Sequence, residues 1–463
     1  MKARAIVLSA ALLLAGCTVG PDYRRPDLSI PADFRGRAPD APAGTGSLGD
    51  VAWWQIFQDE TLQSLIRTAL EENYDLRIAT ARILDARARV TISRSAQFPE
   101  LSAAASAPYT YITRDRAPAQ FRETFAPQGT LDLFWELDFW GRYRRSTEAA
   151  RGELLATESA RRFVVTTLVS DVATAYFQLR ELDLELEISR RTLAGRENSL
   201  RLVKLRQQGA VASMMDVRQA EVLFYTAAET IPDVERRIEQ TENLISILLG
   251  RNPDAVPRGR PLLQQLALPA VPAGLPSSLL ERRPDVVQAE DQLAAATARI
   301  GVAKADYFPR VLLTGAVGAG GIKIDGTWFG PQGVLAVAPQ VTLPIFNWGR
   351  TGAGVDTATG AAQEALARYQ QTVQGAFRDV SDSLIEHRKR GESRVQQEAL
   401  VESLRDAARL ADVRYRGGVS SYLEVLDTER QLFDSELQLA QAQRDELLAI
   451  VRLYRALGGG WSL

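Results

Sequence analysis

Residues able to do bond-making chemistry are few in this sequence. One cysteine (Cys17) and one histidine (His387) leave almost nothing for a His/Cys metal centre or a Cys–His nucleophile pair. There is no GxxxxGK[ST] or GxGxxG run, so no phosphate cradle is encoded. Met214-Met215 could suggest soft-metal handling, but with Met1 they are the only methionines, and packing beside a turn is the expectation. His387 stands among Arg388, Lys389 and Arg390 and reads as a helix-surface residue. Charge is balanced, with 55 basic and 57 acidic residues and a net −2, which gives no general attraction to nucleic acid. No nucleophile–base constellation emerges. The sequence reads as a non-enzyme with no catalytic residues, no metal and no cofactor.

Cys17 is the exception, because its surroundings define a covalent chemistry. Residues 1–17 carry two early positive charges, an apolar run from Ala5 to Leu14 and then small residues, the pattern of a secretory signal. The run is too short to remain as a spanning helix. Leu14-Ala15-Gly16-Cys17 resembles a bacterial lipoprotein cleavage box. The resemblance implies a signal over 1–16, diacylglycerol on the Cys17 thiol and an acyl chain on the new amine. Thr18 follows rather than Asp, which by the usual bacterial sorting pattern favours the outer membrane. Two or three chains anchor stably where one is marginal. The competing reading is an ordinary signal with an incidental cysteine.

The rest of the chain is a duplication. RQQGAVASMMDVRQAE (206–221) aligns without a gap on RYRGGVSSYLEVLDTE (414–429), each pair 208 positions apart (417 − 209). Residues 17–57 read as an extended N-terminal segment, and 58–250 as a first repeat holding a helix, a β-hairpin (101–139) and a long helical hairpin (142–248). A Pro-rich connector spans 251–276, and 277–463 form a second repeat with a β-hairpin at 311–346 and a helical hairpin at 350–458. Leu426, Phe433, Ala440, Leu447 and Tyr454 recur every seven residues, with Leu423, Leu437 and Val451 beside them and Arg430 and Arg444 interrupting. That spacing predicts a helix supercoiled on neighbours. From Arg142 to Gln208 and from Arg350 to Arg416 there is no proline. Each such helix could reach on the order of 100 Å, and needs lateral support.

In 129–139 the odd positions are Leu131, Leu133, Trp135, Leu137 and Phe139, and in 335–345 apolar residues again hold one parity. One greasy and one polar face is the signature of a membrane β-barrel wall, although a half-buried hairpin of a soluble sheet shares it. The run 311–321 should be the partner strand, with a Gly- and Trp-containing loop through 333. Four strands cannot close a barrel, about eight being the smallest. Either the hairpins pack on something else or several chains share one barrel.

After the connector comes LLERRPDVVQAEDQLAAATARIGVAKADYFP (279–309). With the turns Trp140-Gly141-Arg142 and Trp348-Gly349-Arg350, RYRGGVSSYLEVLD, LYRALGGGW and the pattern Trp53-Trp54…Phe57, it resembles the TolC-type outer-membrane efflux family, in its lipoprotein branch. The likeness runs over 17–463. A weaker internal echo puts Asp75 on Asp285 and Phe98-Pro99 on Phe308-Pro309, at an offset two residues longer.

The resemblance implies a mixed α and β membrane protein. Three chains would give four strands each to a twelve-stranded outer-membrane barrel, continuous with a twelve-helix periplasmic tunnel. It implies a passive exit duct for drugs or other small molecules, driven by an inner-membrane pump of the RND type through a periplasmic adaptor, with no nucleic acid partner. It places an acidic ring at Glu424 and Asp427 around the periplasmic mouth, and a hydrogen bond from Tyr415 to Asp216 as a lock. The sequence departs from some relatives at Ser420, where they hold a locking arginine; Arg414, Arg416 or Arg430 could substitute. Other readings are the exit duct of a type I protein-secretion or other non-RND system, and a lipid-anchored coiled-coil scaffold without a pore.

Overall fold

The computed structural model describes residues 18–36, 46–112, 123–265, 274 and 276–461; Cys17 and the signal lie outside them. In chain order the helices are α1 (Trp53–Ile56), α2 (Glu60–Glu72), α3 (Tyr74–Ser95), α4 (Arg142–Gln208), α5 (Met214–Leu248), α6 (Pro276–Arg282), α7 (Pro284–Ala305), α8 (Arg350–Arg416) and α9 (Tyr422–Ala456). The strands are β1 (Glu100–Ser106), β2 (Tyr109–Tyr111), β3 (Glu123–Phe125), β4 (Gln128–Leu137), β5 (Arg310–Ile324) and β6 (Thr327–Thr342). Two compact units result, one of 1–27, 82–158 and 288–370, the other of 28–81, 159–287 and 371–463. Neither unit is a repeat. Each collects corresponding pieces of both, because a single repeat leaves one face of every element uncovered.

The first unit holds the sheet, an antiparallel meander. β1 pairs β4 from Glu100↔Phe134 to Ser106↔Gln128, β4 pairs β5 from Gln128↔Gly320 to Leu137↔Val311, and β5 pairs β6 from Arg310↔Thr342 onward. β2 and β3 prolong the first hairpin, and β3 also meets β5 at Thr124↔Ile324. Two edges remain, β1 and β6, and neither has an outer partner among the described residues. Leu335 is 81% exposed and Val337 67%, so the greasy parity of β6 has no protein covering. No helix among the described residues is long and apolar enough to cross a membrane.

The second hairpin differs from expectation. Its loop is a two-residue turn at Asp325-Gly326, and Trp328 and Phe329 lie in β6. Asp325 (φ 43°) and Gly326 (φ 92°) are both left-handed, the geometry that lets an Asp-Gly pair join twisted strands.

Below the sheet, in the same unit, the indole of Trp140 staples the β4–β5 joint. Its Nε1 donates to the Pro309 carbonyl at 2.8 Å, and its ring stacks on Phe308 with centroids 4.6 Å apart. The N-terminal segment is tied here as well, by Val19 N–H to the Trp140 carbonyl and by buried Arg145 to Asp22 at 2.6 Å.

The second unit is helical. Along α9, Phe433, Ala440, Leu447 and Tyr454 are all buried, as the seven-residue spacing requires. Arg444, one of the interruptions, reaches Glu181 of α4 at 3.2 Å. Asp59 caps α2 through Thr61 N–H and Leu62 N–H, and its other oxygen accepts from Tyr176, Arg260 N–H and Gln265, tying the connector to α4.

Candidate functional site

The two helical hairpins end at 209–213 and 417–421, where the duplication is closest. Both helices stop the same way: Val211 N–H donates to the Arg206 carbonyl and Val419 N–H to the Arg414 carbonyl, a 6→1 closure around a left-handed residue. That residue is Gly418 (φ 72°) in the second hairpin but Ala210 (φ 60°) in the first. A Cβ in this region costs about 1 kcal/mol, so Ala210→Gly is expected to tighten the first turn, checked by slower amide hydrogen exchange of Val211.

Beneath the turns lies one apolar cluster: Leu200 and Val203 of α4, Val217 and Ala220 of α5, Ala411 and Tyr415 of α8, Tyr422 and Val425 of α9. All four helix ends are therefore packed together. Arg206 completes the junction. Its guanidinium lies 4.5 Å from the Tyr415 ring centroid and donates to the Tyr415 carbonyl at 3.1 Å. Sequence reasoning missed this residue, although the repeat alignment had placed it opposite Arg414.

The Tyr415–Asp216 bond is not formed. Asp216 instead closes a capping box: its Oδ2 accepts from Ser213 N–H at 2.8 Å, and Asp216 N–H donates to Ser213 Oγ. The Tyr415 hydroxyl is buried with no hydrogen-bond partner among the described residues. A carboxylate at the third position of a helix has a nearer claim on the cap than on a tyrosine of another hairpin. In α9 Ser421 makes no side-chain cap, and Glu424 is free to pair with Arg414 at 3.4 Å. Asp427 pairs with Arg430 at 3.1 Å and accepts from Gln431, while Arg416 pairs with Asp412. Glu424 and Asp427 thus lie on one turn of α9, and each of the three arginines is engaged with an acid of its own hairpin. These pairs are about half exposed, hence worth less than about 1 kcal/mol each and readily exchanged. The Ser420 hydroxyl is buried without a hydrogen-bond partner among the described residues.

The two hairpins also differ one turn further in. Lys204 of α4 pairs with Glu221 of α5 at 3.3 Å; at the equivalent places of the second hairpin stand Asp412 and Glu429, two acids. Burial pushes the Glu429 carboxyl up, Arg196 opposes that, and Asp412 adds to it. Met214 and Met215 are exposed, not packed as expected, because they begin α5 on its outer side. His387 is half-buried, not a surface residue; burial holds its imidazole below the usual value, with Glu446 opposing. Among the described residues no cluster of His, Cys, Asp or Glu could hold a metal ion.

An open meander whose edge strand β6 leaves its greasy parity uncovered, joined in one chain to paired helical hairpins far longer than a globular core needs, is the architecture of an outer-membrane channel protein. The profile of the outer membrane efflux protein family matches residues 65–251 and 275–459. The solvent efflux pump outer membrane protein SrpC of Pseudomonas putida is 38% identical over 470 residues, covering 100% of this chain and 99% of that protein. The cation efflux system protein CusC of Escherichia coli O157:H7 is 32% identical, covering 97% of each. The outer-membrane channel OprN superposes with a TM-score of 0.88 at 33% identity, over 96% of this chain and 100% of that one. The chain belongs to the outer membrane efflux protein family, and is an outer-membrane channel component that extends into the periplasm.

Proposed function

We propose that three copies of this chain close a twelve-stranded barrel and a twelve-helix tunnel, a passive gated duct. It passes drugs or other small molecules from an RND-type inner-membrane pump and its periplasmic adaptor to the exterior. The observation that carries this is the sheet: two hairpins, together four strands wide, with no outer partner for β1 or β6 among the described residues, too few to close alone. Backbone groups at a sheet edge cannot stay unpaired in lipid, so other copies must supply the partners. Relatives named for solvent and for cation efflux share the whole chain length, which fits a duct whose cargo is chosen elsewhere. Acyl chains on Cys17 hold the N-terminal segment in the membrane.

Glu424 and Asp427 form the acidic ring of the periplasmic mouth. Two carboxylates about 6 Å apart repel by roughly 0.7 kcal/mol in water and about 3 kcal/mol at an effective dielectric of 20. The ring therefore works against closure and gives cation preference, while exchangeable arginine pairs hold the helix ends together. Planar-bilayer recordings of the lipidated protein test this. Small cation-selective openings are expected, with selectivity lost in Glu424→Gln/Asp427→Asn. Unchanged selectivity would move the gate elsewhere. Silence from wild type and from an Arg206→Ala/Tyr415→Ala variant, built to loosen the helix ends, would favour a scaffold without a pore.

A further inference from the structure

The first unit contains one finished joint and the two halves of an unfinished one. At the finished joint, β4 ends at Leu137, the Trp140-Gly141-Arg142 turn follows, and Trp140 stacks on Phe308 and donates to the carbonyl of Pro309, the residue before β5. Ten consecutive residue pairs of β4 and β5 lie above that staple. The duplication supplies each part of it a second time. Trp348-Gly349-Arg350 follows β6, and Phe98-Pro99 immediately precedes β1. In a single chain these second parts do not meet. Trp348 is 89% exposed and held in the left-handed region at φ 54°, its ring meeting that of Phe346, while Phe98 is 56% exposed. A bulky residue in that region with so little around it lacks the surroundings that would fix it.

The strands above them are in the same position. β6 and β1 are the two unpaired edges of the meander, as β4 and β5 would be had the chain been cut between the repeats. We infer that the β6–β1 joint between copies is closed by the same staple: Trp348 of one copy stacks on Phe98 of the next and its indole N–H donates to the Pro99 carbonyl there. The occupant of the exposed Phe98 face is thus a second copy of this chain, selected because the internal repeat already shows which ring fits it. This rests on the proposal that several copies share one barrel, and specifies the contact that sets their register. A one-residue slip of β6 on β1 would carry the indole away from Pro99 and turn every side chain of the edge to the wrong face. The competing use of an exposed tryptophan at this level is as an anchor at the lipid headgroups.

A benzophenone amino acid at position 98 of the full-length lipidated protein separates these. On irradiation it is expected to give an adduct between copies, and peptide mass mapping to place the link at 346–350. Trp348→Ala should lower the temperature at which the oligomer dissociates on unheated gels and cut the photo-adduct at least tenfold. Trp140→Ala breaks the staple inside each chain and should leave the adduct between copies in place. If native mass shows the oligomer but the adduct maps elsewhere, or to lipid, the staple is overturned and the shared barrel stands. If the folded protein is a monomer at all concentrations, the shared barrel fails, and the staple with it.

Discussion

Arg283→Ala is expected to destabilise the helical unit by about 3–5 kcal/mol, the usual cost of removing one partner from a buried charge network. Arg283 is 8% exposed and joins three elements. It forks onto both oxygens of Asp285 at the start of α7 (3.0 and 2.6 Å), reaches Asp379 of α8 at 3.2 Å, and donates to the Ala456 carbonyl at the end of α9. Without the guanidinium, Asp285 and the Ala456 carbonyl lose their common donor beside a cavity of about 600 Å³, where water is a partial substitute. Arg283→Lys should recover only part of the loss, because an ammonium cannot reproduce the two-pronged contact. Denaturant titration of the detergent-purified protein reads this; an alanine variant within 1 kcal/mol of wild type would remove Arg283 from the structural core.

Glu181→Gln is expected to stabilise the protein at alkaline pH and to flatten its pH dependence. Glu181 and Glu185 stand one turn apart on α4, each almost wholly buried. Arg444 of α9 reaches Glu181, and Arg237 of α5 and Gln441 of α9 reach Glu185, yet one oxygen of Glu181 has no hydrogen-bond partner among the described residues. Burial, then the adjacent Glu185, pushes the Glu181 carboxyl up to about 8, with Arg444 and Arg237 opposing. A raised acid binds its proton in the folded state while the unfolded chain has released it. Its contribution is therefore complete below the ordinary glutamate range and is lost progressively as pH rises from about 4.5 to about 8. Glutamine imitates the protonated acid, so the unfolding free energies of wild type and Glu181→Gln from denaturant titration should agree near pH 4.5 and diverge by on the order of 4 kcal/mol at pH 8. Parallel curves would show that Glu181 is ionised in the folded protein.

Much of this protein follows from its sequence taken alone. The period-seven spacing of Phe433, Ala440, Leu447 and Tyr454 dictated which stripe of α9 is buried, because helix geometry fixes which side chains share a face. The period-two alternation of 129–139 and 335–345 dictated strands over most of both runs, with the greasy parity half-buried in β4 and uncovered in β6, and the constant offset between 206–221 and 414–429 dictated two equivalent hairpins. Local turn chemistry was legible in principle but overlooked at Asp325-Gly326, where the dipeptide itself carries the signal.

What the sequence could not settle are choices among equivalent partners. Asp216 could serve a cap or a tyrosine, and proximity in the fold gave it to Ser213. Arg206 and Arg414 occupy the same place in the repeat, yet one bridges the two hairpins and the other pairs with Glu424 inside its own. Trp140 found Phe308 within its own chain, while Trp348 is left 89% exposed beside Phe346. Identical local sequence meets different surroundings once two repeats are threaded into one chain. Which copy of a motif is satisfied internally and which faces outward depends on three-dimensional adjacency, a property that spacing along the chain does not contain.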